Sequence, residues 1–298
     1  MGLDVIVKDV FKIYRIGKVE VHALRGLSAH IEDGEIVSII GPSGSGKTTL
    51  LNLIGGLDRP TAGSIRVGSI EVSELKPHEL TKYRRKTVGY IFQNLNLIPT
   101  LTAAENVELP MMALGISRKQ RTEKVKNLLE IVGLSYRMDH KPEELSGGEQ
   151  QRVAIASALA NDPPVILADE PTGELDTLNA KLVTDYLIRV SRELEKTVIL
   201  VTHDPNVARA ADRIMRIEDG VIKEVLAPTR LESGITTPSS YIDHIKTRLA
   251  DLDLELRKLD ERFRKMEIDG EEYVKQRSRI QNIKLGLQEE LHRMGLVT

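Results

Sequence analysis

Eight residues, Gly41-Pro42-Ser43-Gly44-Ser45-Gly46-Lys47-Thr48, fit the phosphate-binding pattern G-x-x-x-x-G-K-[ST]. They follow the apolar run Ile36-Val37-Ser38-Ile39-Ile40 and precede Leu50-Leu51-Asn52-Leu53-Ile54. The context is that of a loop between a buried strand and a helix. Glycines there let successive backbone N–H groups turn inward around phosphate oxygens, and the helix start adds its positive dipole end. Lys47 is placed to meet the β- and γ-phosphates and Thr48 to ligate magnesium. Ser43, Gly44, Ser45, Gly46 and Thr49 complete the expected nucleotide-binding loop. The expected ligand is a nucleoside triphosphate.

A phosphate loop alone does not choose among kinases, GTPases and transport ATPases. Val165-Ile166-Leu167-Ala168-Asp169-Glu170 is an apolar strand ending in two acids. One carboxylate at such an edge can hold magnesium, and a second just beyond it can polarise an attacking water. Asp169 suits the first role and Glu170 the second. Upstream, Leu145-Ser146-Gly147-Gly148-Glu149-Gln150-Gln151-Arg152 opens a helix over Val153 to Ala160. Ser146 and Glu149 there fit a capping box, and a capped helix start with two adjacent glycines is also an anion site.

Together these motifs resemble the signature of the ATP-binding cassette, or ABC, family, over about residues 3–225. The resemblance implies an α/β fold of the P-loop NTPase type: a mixed sheet core, an antiparallel β flank and a helical subdomain. It implies that Tyr14 stacks on adenine and that Gln93 senses magnesium and touches a membrane partner. His203, in Val201-Thr202-His203-Asp204, matches the switch histidine that contacts the γ-phosphate. Asp176, in Gly173-Glu174-Leu175-Asp176, matches the loop that communicates between subunits. Two cassettes are implied to pack head to tail, each ATP lying between the phosphate loop of one and Ser146, Gly147 and Gly148 of the other. ATP and magnesium are the implied cofactors. The implied partners are a second copy of the chain and a separate transmembrane permease.

The segment from Phe92 to Pro110, with Asp169-Glu170-Pro171-Thr172-Gly173, resembles the branch of lipoprotein-releasing and macrolide- or peptide-exporting ATPases, which also contains a cell-division ATPase. Glu174 departs from the asparagine often found there. The leading expectation is a peripheral ATPase subunit of a membrane exporter, at the inner face of the cell membrane. Two alternatives stand beside it: a mechanotransmitter that controls a cell-envelope enzyme without transport, and a soluble ABC ATPase acting on DNA or the ribosome.

The elements that must position these residues follow from the apolar pattern. Short runs at Val5-Ile6-Val7, Val19 to Leu24 and Leu27 to Ile31 read as flanking strands, as do Gly63 to Val72 and Val88 to Phe92. Helical spacing dominates about residues 98–160, and strands return at Val165 to Asp169 and Thr197 to Thr202, separated by a helix from about Leu178 to Leu194. Strands alternating with helices predict a largely parallel sheet within a cassette over residues 1–226. Residues 227–240 read as a linker. Beyond it, Ile242, Ile245, Leu249, Leu252, Leu256, Leu259, Phe263 and Met266 are spaced as a heptad seam. Ser240 with Asp243 reads as its cap, and Asp269 with Glu272 as the cap of a second helix through Ile280, Ile283, Leu287 and Leu291. Residues 241–298 are thus expected to form a helical hairpin, closed on itself or serving a dimer or partner contact; its 12 acidic and 12 basic residues could set its register.

Composition narrows the class. The 298 residues carry 42 basic and 44 acidic side chains, so no duplex-sized basic footprint for nucleic acid is present. There is no cysteine, which excludes disulfides and thiol chemistry and fits a reducing compartment. Met1 to Val10 carries Asp4, Lys8 and Asp9 and has no long apolar core, so no secretory signal is expected there. The longest apolar windows fall far short of the roughly 20 residues a spanning helix needs.

Overall fold

The structure, a computed structural model, describes residues 2–17, 19–173, 175–228 and 238–293. It divides into two compact units, Met1–Leu231 and Glu232–Thr298.

The first unit opens with two long strands, β1 (Val5–Ile16) and β2 (Val19–Ile31), followed by β3 (Ile36–Ile40) and helix α1 (Lys47–Ile54). Strands β4 (Ala62–Val67) and β5 (Ile70–Glu71), helix α2 (Pro77–Lys86) and β6 (Val88–Ile91) come next. Three helices follow: α3 (Ala103–Met112), α4 (Arg118–Ile131) and α5 (Gly147–Leu159). The unit ends with β7 (Val165–Asp169), α6 (Thr177–Glu193), β8 (Thr197–Val201), the short α7 (Pro205–Ala208), β9 (Arg213–Glu218) and β10 (Val221–Leu226).

The strands form two sheets, a four-stranded one ordered β2-β1-β4-β5 and a six-stranded one ordered β10-β9-β3-β8-β7-β6. The first is antiparallel. In the second only β9 with β10 is antiparallel, and the other pairs are parallel. The central strands β7 and β8 are buried at every position, which is why they read as unbroken apolar runs. One core joins α1 to both sheets through Leu24, Ile39, Leu51 and Leu167; another joins α3, α4 and α5 to β6, β7 and β8 through Val107, Leu129, Ile155 and Ile166.

The two runs read as separate strands at Val19 to Leu24 and Leu27 to Ile31 form one strand. Val10 pairs with Leu27 and Phe11 with Arg25, leaving Gly26 as the extra residue of a bulge, with φ of 76°. The bulge keeps the ladder running where the alternation of side chains breaks.

In the second unit, α8 (Pro238–Arg264) and α9 (Gly270–Arg293) pair as a hairpin. Because α8 starts at Pro238, Ser240 lies inside its first turn and does not cap it. The seam is seated at Leu252 and Leu259, both buried, with Phe263 stacked on Tyr273 at 4.3 Å. Met266 departs from the expected seam: it lies beyond the end of α8 with φ of 56° and is 92% exposed. Asp269 caps α9, its Oδ1 accepting the Glu272 N–H at 2.8 Å. Tyr273 donates to Asp260 at 2.7 Å, and Lys284 pairs with Asp253 at 2.6 Å, so both charge signs tie one helix to the other. The side chains of Ile242, Ile245, Ile283, Leu287 and Leu291, linker positions 229–237 and Glu174 lie outside the described residues.

Candidate functional site

The phosphate loop is built by close approach. Gly41 follows β3, and a Cβ there would overlap the Ile217 carbonyl of β9. At Gly46 a Cβ would stand 2.5 Å from the Ala23 carbonyl of β2, and φ is 102°. Only glycine fits both sterics. Helix α1 then begins at Lys47 with Gly46 as a left-handed N-cap and no side-chain cap, leaving its dipole end to an outside anion.

Lys47 and Asp169 take neutral hydrogen-bond partners within the site. Lys47 is 7% exposed, and its Nζ donates to the carbonyls of Gly41 at 2.9 Å and Pro42 at 2.8 Å. Burial pulls its pKa below the ordinary lysine value, against the opposing pull of the Glu170 and Asp169 charges. Thr48 Oγ1 donates to Asp169 Oδ1 at 3.1 Å across the end of β7. Burial pushes the Asp169 carboxyl above its ordinary range, the Glu170 charge adds to this, and Thr48 and Lys47 oppose it.

Glu170 sits just past β7 with φ of 45°, a left-handed conformation that few non-glycine residues adopt. Its N–H is held by the Val201 carbonyl at 2.9 Å, and its own carbonyl accepts from the Gly173 N–H at 3.1 Å. This pinned turn aims the carboxylate at His203, whose Nδ1 lies 3.2 Å from Glu170 Oε2.

A cavity of about 600 Å³ gathers these groups, a size suited to a nucleotide. Of the sequence-predicted residues it is lined by Tyr14, Ser43, Gly44, Gly46, Lys47, Thr48, Thr49, Gln93, Glu170 and His203. Ser45 does not line it: the residue is buried, and its N–H is bonded to the Pro42 carbonyl. Asp169 lies behind Thr48 and reaches the site through that hydroxyl.

Ser146, Gly147, Gly148 and Asp176 do not line this cavity. Ser146 caps α5, its Oγ accepting the Glu149 N–H while Glu149 Oε2 accepts the Ser146 N–H at 2.8 Å. Arg137 also bonds Glu149 at 3.1 Å, and these contacts outweigh burial to hold that carboxyl below its ordinary range. Gly148 faces Asn179, and a Cβ there would stand 2.7 Å from its Oδ1. Asp176 accepts from both the backbone and the side chain of Asn179 at the start of α6. The start of α5 is thereby packed against the start of α6.

Sequence reasoning missed several contributors. Val21, His22 and Ala23 of β2 line the cavity, where the register against β1 shifts a second time, Lys12 pairing with Leu24 and Ile13 with His22. Asn106 holds the loop after Gln93: it accepts from the Ile98 N–H at 2.7 Å and donates to the carbonyls of Ile98, Leu101 and Thr102. Its burial on α3 was legible only as a polar residue on an apolar helical face.

Residues 24–173 match the family model described as ABC transporter. An ABC transporter ATP-binding protein of Thermotoga maritima is 51% identical over 217 residues, covering 73% of this chain and 92% of that protein. The chain belongs to the ABC transporter family. It is an ATP-binding cassette ATPase, with the mixed α/β fold of that group. The macrolide export ATP-binding/permease protein MacB of Rhodopirellula baltica is 47% identical over 215 residues, 72% of this chain but 31% of that longer protein. Among solved structures, the cassette MJ0796, known from Methanocaldococcus jannaschii, superposes with a TM-score of 0.70 at 46% identity over 75% of this chain and 98% of that one. That structure is a dimer in a post-hydrolysis state bound to ADP and phosphate.

The raised pKa of Asp169 has a definite sign. The folded cassette binds this proton more tightly than the unfolded chain, so the charged carboxylate costs stability above its folded pKa and nothing below the ordinary value of 3.8. Asp169→Asn keeps an acceptor for Thr48 and removes the charge. The nucleotide-free variant is expected to unfold at a higher denaturant midpoint than the parent at pH 7, with the gain fading toward pH 3.8. A lower midpoint at pH 7 contradicts this reading of the site.

Proposed function

We propose that this cassette is the ATP-binding and hydrolysing subunit of a membrane exporter, pairing with a second copy around two ATP and driving a separate transmembrane permease. The observation that carries the reading is a division of labour within one chain. Lys47, Thr48, Glu170 and His203 line the phosphate cavity, while Ser146 and Gly148 stand outside it. A second copy is the natural source of the missing helix start, and the dimeric state of MJ0796 supports that arrangement.

In this reading Lys47 leaves the Gly41 and Pro42 carbonyls for the β- and γ-phosphates. Glu170, held in its strained turn, accepts the proton of the attacking water. His203 steadies that carboxylate and reaches the γ-phosphate. Tyr14 stacks on the base. Thr48, Asp169 and Gln93 present a hydroxyl, a carboxylate and an amide, oxygen donors that fit a hard cation. Among the described residues no group of three or more acids or histidines surrounds one point, so magnesium here would take further ligands from phosphate and water. When bound, it would neutralise charge on the phosphates and relieve the cost of burying Asp169.

Among the described residues no helix is long and apolar enough to cross a membrane, so spanning helices come from the permease in this account. A groove of about 510 Å³ beside the loop that follows Gln93 supports a docking role, lined by Arg84, Arg85, Phe92, Leu95 and Leu109 among others. Resemblance to MacB, which is named as both ATP-binding and permease protein, points the same way. In this account the cassette works at the inner face of the cell membrane, and the hairpin α8–α9 strengthens the pair or its contact with a partner.

Glu170→Gln is expected to retain ATP affinity while slowing turnover about a hundredfold or more. Turnover at the parental rate would remove Glu170 as the base. For the docking role, Leu109→Asp puts a charge on a side chain that is 41% exposed in the groove. It should leave ATP affinity intact and abolish co-sedimentation with membranes of the source cell. Unaltered co-sedimentation would direct the permease contact elsewhere.

A further inference from the structure

We infer that Asp58 and Lys12 form a clamp that fixes the plane of Tyr14 for a nucleobase, and that α1 sets how far that plane stands from the phosphate loop. The inference rests on the reading of Tyr14 as the base-stacking residue. It assigns positioning roles to two residues outside the phosphate and acidic motifs.

The contacts are specific. Tyr14 lines the cavity from β1 and donates its hydroxyl to Asp58 Oδ2 at 2.8 Å. The other carboxylate oxygen, Oδ1, accepts from Lys12 Nζ and from the Arg59 N–H, each at 2.7 Å. Lys12 Nζ also donates to the Arg59 carbonyl at 2.8 Å and stands 4.7 Å from the centre of the Tyr14 ring. A tyrosine anchored only at its backbone turns about two side-chain torsions. Here the hydroxyl is tied at the far end, and the ammonium occupies one neighbouring surface of the ring. A planar ligand is left the opposite surface.

Both partners are held in the states the clamp needs. Burial pushes the Asp58 carboxyl up, but hydrogen bonds from Lys12, the Arg59 N–H and Tyr14 outweigh it and hold the group below its ordinary range. Burial, then the bond to Asp58, raises the Tyr14 phenol, which therefore stays a donor across neutral pH.

Asp58 is itself tied to α1. The Leu57 and Asp58 N–H groups donate to the Asn52 carbonyl in the last turn of that helix, at 2.9 and 3.3 Å. The ring is thus fastened to the eight-residue α1 at two places, through Asp58 to its last turn and through a hydrogen bond with the Thr49 side chain to its first turn beside the phosphate loop. At 1.5 Å per residue the helix is about 12 Å long, a rigid mount that fixes where the ring stands relative to the phosphate loop. Because every nucleobase presents a π-face, the clamp raises affinity for nucleotides without choosing among bases.

The test compares ligands with and without a base, titrated by calorimetry into the full chain without magnesium: ATP, GTP and inorganic tripolyphosphate. Asp58→Ala, Lys12→Met and Tyr14→Phe are each expected to weaken both nucleotides about three- to tenfold and leave tripolyphosphate unchanged. The double variant Tyr14→Phe/Asp58→Ala should lose less than the sum of the two single losses, because both single variants remove the Tyr14–Asp58 bond. Tyr14→Ala, which deletes the ring, should cost ATP about tenfold or more. If Tyr14→Ala is selective for nucleotides but Asp58→Ala and Lys12→Met bind them like the parent, the clamp is overturned and the stacking role stands. Equal losses of ATP and tripolyphosphate in Asp58→Ala would make Asp58 a support of the phosphate loop and overturn the clamp. Parental ATP binding by Tyr14→Ala would overturn the stacking role and the clamp with it.

Discussion

The start of α1 must stay open to an anion, and the surrounding structure meets that constraint. A helix of eight residues with no side-chain cap leaves its first N–H groups to whatever the glycine loop encloses. Gly41 and Gly46 bring the loop so close to β9 and β2 that a methyl group would collide with a backbone carbonyl at each place. The loop is therefore fixed by the sheets around it, and its shape does not wait for a ligand. A preformed cradle of N–H groups is what phosphate recognition needs, because the cost of ordering it is met during folding.

The same constraint gathers charge. A lysine 7% exposed and a buried aspartate face the loop, and each is unsettled by burial in the direction that favours its neutral form. The loop's own carbonyls and the Thr48 hydroxyl meet these groups. Exchange of those internal bonds for phosphate oxygens and a cation is the physical basis on which ligand binding would tighten the cassette. Glu170 belongs to this economy of position as well, since its left-handed backbone is kept by two main-chain hydrogen bonds, one to the neighbouring strand.

Legibility in the sequence followed the range of the interactions. The phosphate loop, the acid-ended strand β7 and the capped start of α5 are contiguous in the chain, so their chemistry could be read from spacing alone. The Ser146–Glu149 capping box is present as read. What depended on distant pairing was not readable. Joining two runs into β2 required a bulge at Gly26, which only the register against β1 reveals. Val21, His22 and Ala23 reach the cavity through that same pairing. Met266 fitted a heptad numerically, but α8 ends two residues earlier, and the turn removes it from the seam. Lys12 and Asp58 are 46 residues apart in sequence and give no local motif, though Lys12 and Tyr14 share the two-residue spacing of one strand face.

The central claim is that one chain carries two half-sites and that ATP joins two chains through them. Light scattering of the full-length Glu170→Gln protein, with and without magnesium-free ATP, measures this directly when Ser146→Arg is added as a second substitution for comparison. The account predicts that ATP doubles the mass of the Glu170→Gln protein and that Ser146→Arg abolishes the change. A mass indifferent to ATP, or an ATP-dependent pair that persists with arginine at position 146, would contradict it.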